Sequence, residues 1–185
     1  MRPTPTPTPP TVATAPPTPA GTGPQTAPAY SRHRGIAAPD DDTRGRRLLV
    51  GLIHGSAEDP PCARLLALPP ATGWSPGRIT SQTVFPQELT LTPGVVFGGW
   101  IACLSDHFAG LAMLSALPDG LAFLTAQLSV EYRAPLVPGP ADIEAEVTRC
   151  STRHALVEIR FNQGGRVAAV ATVEQIISRT GEHDG

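Results

Sequence analysis

The sequence predicts an α+β fold in which one antiparallel sheet of five to six strands wraps around a single long central helix. Three observations predict it. The stretch from Gly99 to about Leu117 is the only long segment of the second half with apolar residues at helical spacing. Everything after the turn signal Pro118-Asp119-Gly120 alternates between apolar and polar residues, the period of strands with one buried face. A single antiparallel sheet of that kind must cover its apolar face, and the helix stripe is the best available cover.

The elements follow in order. Residues 1–29 are nearly all Pro, Thr, Ala and Gly, without aromatics and with almost no branched apolar side chains. Such a segment buries too little surface to offset the entropy of ordering, and its prolines favour extended conformers. Residues 30–43 are short, mixed in charge and equally unpatterned, so 1–43 is expected to be a disordered leader. Helical character begins near Arg44 (RGRRLLVGLIHG), and a second short helical stretch, CARLLAL, follows Pro60-Pro61. Turn residues then lead to RITSQTVF, a strand in which Ile79, Ser81, Thr83 and Phe85 alternate with Thr80, Gln82 and Val84. A loop containing Pro86 and Pro93-Gly94 reaches Gly98-Gly99.

Along the long helix, Ile101, Leu104, Phe108, Leu111 and Ser115 form the packing stripe. Four strands follow. In LAFLTAQLSVEYRAP, strict alternation puts Leu124, Ala126, Leu128, Val130 and Tyr132 on one face and Thr125, Gln127, Ser129, Glu131 and Arg133 on the other. ADIEAEVTRC and HALVEIRF repeat the scheme. Asn162-Gln163-Gly164-Gly165 is a hairpin turn into RVAAVATVEQIIS. One domain over 44–180 is therefore expected, with 181–185 as a flexible C-terminus.

Composition narrows the function. Net charge is −2, so nothing calls for nucleic acid or a membrane surface as partner. No apolar run approaches the ~18 residues of a membrane span. Arg2 is followed by prolines instead of an apolar segment, so no secretory signal is read and a cytoplasmic protein is expected. The three cysteines, Cys62, Cys103 and Cys150, are odd in number and far apart, and read as reduced thiols.

The chemistry points to the helix face that does not pack. Asp106 lies opposite the apolar stripe, with Gly99, Ala102, Cys103, Ala109, Gly110 and Met113 around it. A solvent face would carry Lys, Glu and Gln; small residues with one carboxylate suggest a subunit interface or a binding cleft, although a half-exposed helix face would also hold an Asp. Gly98-Gly99 opens the same helix, where unpaired N–H groups and the positive end of the helix dipole can seat a partial negative charge. Paired glycines also mark plain loop-to-helix turns. Together these parts suit thioester hydrolysis: the N–H donors stabilise the oxyanion, and the carboxylate activates water or attacks the thioester itself. Neither task needs a metal or an organic cofactor.

Other candidates carry less. His107 points about 100° away from Asp106, so the two form no dyad; it is a candidate substrate contact or a packing residue. Phe97 and Trp100 flank the glycines as candidate acyl-pocket residues, and core packing explains such aromatics equally well. His54 with Glu58 and His154 with Glu158 lack a third metal ligand. Ser105 and Ser115 lack the nucleophile-elbow context of serine hydrolases.

The run PGVVFGGWIACLSDHFAG, followed by LSVEYRAPLVPG, resembles the PaaI-like branch of the hotdog-fold thioesterases; with PPCARLLAL and PGRIT upstream, the similarity covers about Pro60 to Ser178. The resemblance implies an Asp as catalytic base or nucleophile, facing the Gly-Gly helix start of another subunit, with a Ser or Thr of the next strand assisting. By position these roles fall to Asp106, Gly98 or Gly99, and Thr125. An acyl-CoA or acyl-carrier-protein substrate and a homodimer or homotetramer are implied as well. Two departures stand out: Phe97 occupies the place of the family's His, and Leu91 stands where many members have Asn or Gln. The alternative is a non-catalytic acyl-binding or dehydratase-like hotdog protein, and the latter is disfavoured because no His lies upstream of the helix at the spacing dehydration needs.

Overall fold

The computed structural model describes residues 42–92 and 94–180. Residues 1–41 of the expected leader and the C-terminal 181–185 lie outside them. Thr43, grouped above with the leader, is buried and caps the first helix, its hydroxyl accepting from the Arg46 amide at 3.3 Å.

That helix is α1 (Arg44–Ile53), followed by the single turn α2 (Pro61–Leu65) with proline in its first turn. Then come β1 (Gly73–Ser75), β2 (Arg78–Phe85), the short pair β3 (Thr90–Thr92) and β4 (Val95–Val96), and the long helix α3 (Gly98–Ala116). Four long strands complete the chain: β5 (Leu121–Tyr132), β6 (Gly139–Cys150), β7 (His154–Gln163) and β8 (Arg166–Arg179). The main sheet is antiparallel with strand order β1-β2-β6-β7-β8-β5, six strands in all. β1 and the β3–β4 pair were not anticipated; each is too short to show a period.

The sheet curls around α3. Ile101, Leu104, Phe108, Leu111 and Ser115 are all buried, as are Ile79, Ile143, Val157, Ile159, Phe161 and Val173 on the facing strands. Burying one such side chain stabilises by roughly 1.5–3 kcal/mol, so this contact is the main source of stability. The helix ends at Leu117, before Pro118, and Gly120 supplies the left-handed turn residue at φ 84°.

Two expectations are corrected. Ala109 and Met113, placed by spacing on the open face of α3, have no exposed surface. α1 packs on the C-terminal half of α3, where its Gly45 approaches the Leu114 carbonyl so closely that a Cβ there would lie 2.6 Å from the oxygen. Buried Arg46 strengthens the contact by donating through Nε to the Ser115 carbonyl at 3.1 Å.

Alternation in β5 is also not strict. Thr125 pairs with Gln175 and Gln127 with Glu174, so Ala126 is an extra residue in a β-bulge. Beyond it the expected phase holds, with Leu128, Val130 and Tyr132 opposite Val173, Ala171 and Ala169. Before it the phase reverses: Phe123 and Thr125 turn toward α3, and Leu124 turns outward with 56% of its surface exposed. A second bulge, at Thr148 of β6, brings Cys150 back to the core.

Candidate active site

The approach to α3 is fixed before the helix begins. The Val96 amide donates to Leu136 and the Phe97 amide to Leu89, both at 2.8 Å. Phe97 then occupies the N-cap position, where its side chain makes no capping bond. Among the described residues the Gly98 and Gly99 N–H groups find no acceptor. They point out of the helix N-terminus, as expected of first-turn donors.

Two aromatic residues surround these glycines. The Tyr132 hydroxyl donates to the Gly98 carbonyl at 2.6 Å. That carbonyl and the Gly99 N–H belong to one peptide group, so the bond orients and polarises the Gly99 donor. Partial burial raises the Tyr132 pKa above its ordinary value. The Phe97 ring lies over Gly99 so closely that any Cβ there would overlap it. A cavity of about 440 Å³ opens beside Gly98, walled by Leu91, Val95, Ile101, Tyr132, Pro135 and Leu136 among others.

Asp106 stands two turns further along, exposed, on the same side as Gly99. The reversal at Ala126 brings Thr125 to it, and the Thr125 hydroxyl donates to Asp106 Oδ1 at 2.6 Å. Behind Thr125 lies Gln175 of β8, 1% exposed, whose Nε2 donates to the Thr125 hydroxyl at 3.0 Å. Asp106 and Gly99 are seven residues apart on one helix, a rise of about 10 Å. One reacting carbonyl therefore cannot touch both within a single chain.

The remaining candidates fall elsewhere. Trp100 is buried, its indole N–H donating to Leu66 at 2.7 Å and its ring edge-on to Phe85 at 5.3 Å. His107 is half-buried; burial lowers its pKa, opposed by a hydrogen bond with the Pro69 backbone and by the charges of Asp59 and Asp106. His154 pairs with Glu174 at 3.2 Å instead of with Glu158. The structure thus joins Asp106 with Thr125, and Gly98 with Tyr132, and leaves Trp100 in the core.

Two residues bonded to these groups escaped the sequence reading. Tyr132 was seen only as part of a motif, with no role for its hydroxyl. Gln175 was passed over inside the last strand, although it shares the phase of Val173 and Ile177, where an amide is out of place.

The family model described as the thioesterase superfamily matches residues 93–174. A provisional esterase of Saccharolobus solfataricus is 32% identical over 105 residues, 56% of this chain and 74% of that protein. Two solved structures share the fold. The PaaI protein of the Escherichia coli phenylacetic acid degradation operon superposes with a TM-score of 0.60 at 18% identity, over 73% of this chain and 95% of its own. A hypothetical thioesterase protein of Streptococcus pneumoniae, with coenzyme A, gives a TM-score of 0.58 at 20% identity, over 69% of this chain and 95% of its own. The described residues contain no helix long and apolar enough to cross a membrane. Sequence match, sheet order and central helix agree: the chain belongs to the thioesterase superfamily and has the PaaI-like hotdog fold.

Proposed function

We propose that this protein is an acyl thioester hydrolase acting on an acyl-CoA or an acyl-carrier-protein thioester. The observation that carries the reading is the Asp106 carboxylate, exposed on an otherwise uncharged helix face and held at 2.6 Å by Thr125. The coenzyme A that accompanies the Streptococcus pneumoniae protein favours acyl-CoA as the substrate class.

In this mechanism the thioester carbonyl oxygen docks on the free Gly98 and Gly99 amides, oriented by Tyr132. Asp106 removes a proton from water, whose oxygen attacks the carbonyl carbon, and passes that proton on to the departing thiolate. Alternatively, Asp106 attacks that carbon itself, forming a mixed anhydride that water then hydrolyses to restore the carboxylate. Negative charge moves onto the carbonyl oxygen, where the amides stabilise it, and collapse expels the thiolate. The acyl group extends into the apolar cavity beside Gly98. The rise of about 10 Å between Asp106 and Gly99 favours a site shared by two chains, in which a second copy supplies the amides facing each Asp106. A two-fold homodimer gives two equal sites, and a homotetramer can arise from two such dimers. The unpaired edge of β5 and the small-residue half of α3 are the surfaces available for that contact.

The test is release of free thiol from hexanoyl-, palmitoyl- and benzoyl-CoA, with mass measured by light scattering. Turnover by a dimer or tetramer is expected, and a fully active monomer would overturn the shared site. Saturable acyl-CoA binding without thiol release from any substrate would favour the non-catalytic acyl-binding alternative.

A further inference from the structure

We infer that Gln175 is a positioning residue that sets the direction of the Thr125 hydroxyl toward Asp106, an inference that rests on the thioesterase reading above. Gln175 lies on the α3-facing side of β8, 1% exposed, in phase with Val173 and Ile177. A side-chain amide has two N–H donors and an acceptor oxygen. Among the described residues the only side-chain partner of Gln175 is Thr125. A buried amide that leaves hydrogen-bonding capacity unused costs stability, and an apolar residue would serve the sheet better. The fold therefore offers no reason for Gln175, whereas its single partner does.

The geometry gives the direction. A hydroxyl has one proton, and two acceptors compete for this one: Asp106 Oδ1 at 2.6 Å and Gln175 Oε1 at 3.4 Å. The nearer acceptor is the stronger. Gln175 Nε2, at 3.0 Å, donates to the hydroxyl oxygen and occupies a lone pair, so the proton is left to the carboxylate. Asp106 is then held through Oδ1, while Oδ2, which has no partner among the described residues, is free for the reacting group. The arrangement depends on the bulge at Ala126, because strict alternation upstream of Gln127 would turn Thr125 away from Gln175.

The test uses the full chain and whichever acyl-CoA of the panel is turned over fastest. Gln175→Met keeps the length without the amide; Gln175→Asn keeps an amide one methylene too short to reach. Both are expected to lower kcat by about tenfold with KM nearly unchanged, and Gln175→Met should melt no lower than the parent. In a Thr125→Ala background the same changes should cost nothing further, because the group through which Gln175 acts is gone. Parental kcat in Gln175→Met, or a loss that adds fully to that of Thr125→Ala, overturns the inference. If Gln175→Met does not fold, Gln175→Asn and its cycle decide by the same criteria. Asp106→Asn in the same assay separates the two levels. Undiminished turnover there, or no turnover of any panel member by the parent, overturns the thioesterase reading and this inference with it. A normal loss in Asp106→Asn beside parental kcat in Gln175→Met overturns this inference alone.

Discussion

The two halves of α3 use similar small residues to opposite ends. From Ala109 to Ala116 the helix is largely covered: Ala109, Ala112 and Met113 have no exposed surface, Gly110 and Leu114 are half-buried, and Gly45 rests on the Leu114 carbonyl. From Gly99 to Asp106, Gly99, Ala102 and Cys103 are only half-buried and Asp106 is exposed. Small residues on a helix signal that a neighbour comes close. In the second half that neighbour is α1 of the same chain; in the first half, on the reading proposed above, it is a substrate and a second subunit. Residue size alone does not separate the two cases, and the lone carboxylate does.

The comparison can be broken at either half. The largest expected effect lies between the two halves, on the sheet-facing stripe: Phe108→Ala removes a fully buried ring from the middle of the helix–sheet contact and should cost about 3–5 kcal/mol in urea denaturation. A loss below about 1 kcal/mol would show that the core relaxes around the cavity instead of being clamped. Next comes Asp106→Asn on the open side, which should leave the melting temperature nearly unchanged and lower turnover by a factor on the order of 10², about 2.7 kcal/mol of barrier. An undiminished rate would move the chemistry elsewhere. Thr125→Ala, which removes a helper, should cost about tenfold.

A matched pair then sharpens the contrast. Gly45→Ala meets a backbone carbonyl that cannot step aside and should destabilise by about 1–3 kcal/mol. Ala102→Arg on the open half should leave urea stability of the monomer unit largely intact and yield monomers by light scattering. Oligomers that survive this substitution would place the interface elsewhere.

The smallest effect belongs to His107, at the junction of the halves. Burial lowers its pKa from the ordinary 6.5, so the unfolded chain binds the proton more readily than the folded one. Its contribution to stability is complete above 6.5 and is lost as pH falls through the lower, folded value. Melting temperature should decline by a few degrees as pH is lowered from 7 to 5, and His107→Gln should flatten part of that decline. An identical profile in the variant would assign the decline to other groups.

Much of this architecture was legible in the residues. The stripe from Ile101 to Ser115 and the alternation after Gly120 were enough to put one helix inside one antiparallel sheet, because period and burial are linked directly. Gly164 and Gly165, both at positive φ, gave the β7–β8 hairpin. Asp106 stood out because its neighbours carry no charge. What period cannot show is a change of phase. The bulge at Ala126 leaves no local trace, so the face assigned to Thr125 was wrong, and Thr125 entered only through family resemblance. Met113 was misplaced for a related reason: spacing ranks the faces of a helix but cannot say which of them another part of the chain will cover. Gln175 was detectable, had each position of the last strand been assigned a face.

The bulge also determines where β5 can change length. Gln127 already faces away from α3 and Thr125 already faces it, with Ala126 the surplus between them. A gene that lost the codon for Ala126 would encode a regular strand in which every side chain keeps its present face and Thr125 still meets Gln175. Loss of a codon further along, such as that for Ser129, would instead be absorbed at the bulge and put the residues between on the wrong faces, turning Leu128 outward and Gln127 toward α3 while Thr125 keeps its partner. Single-residue deletion is therefore expected to be best tolerated at Ala126 and to lower stability a few positions away, a contrast that a deletion scan of β5 would record as one spared codon in a sensitive strand.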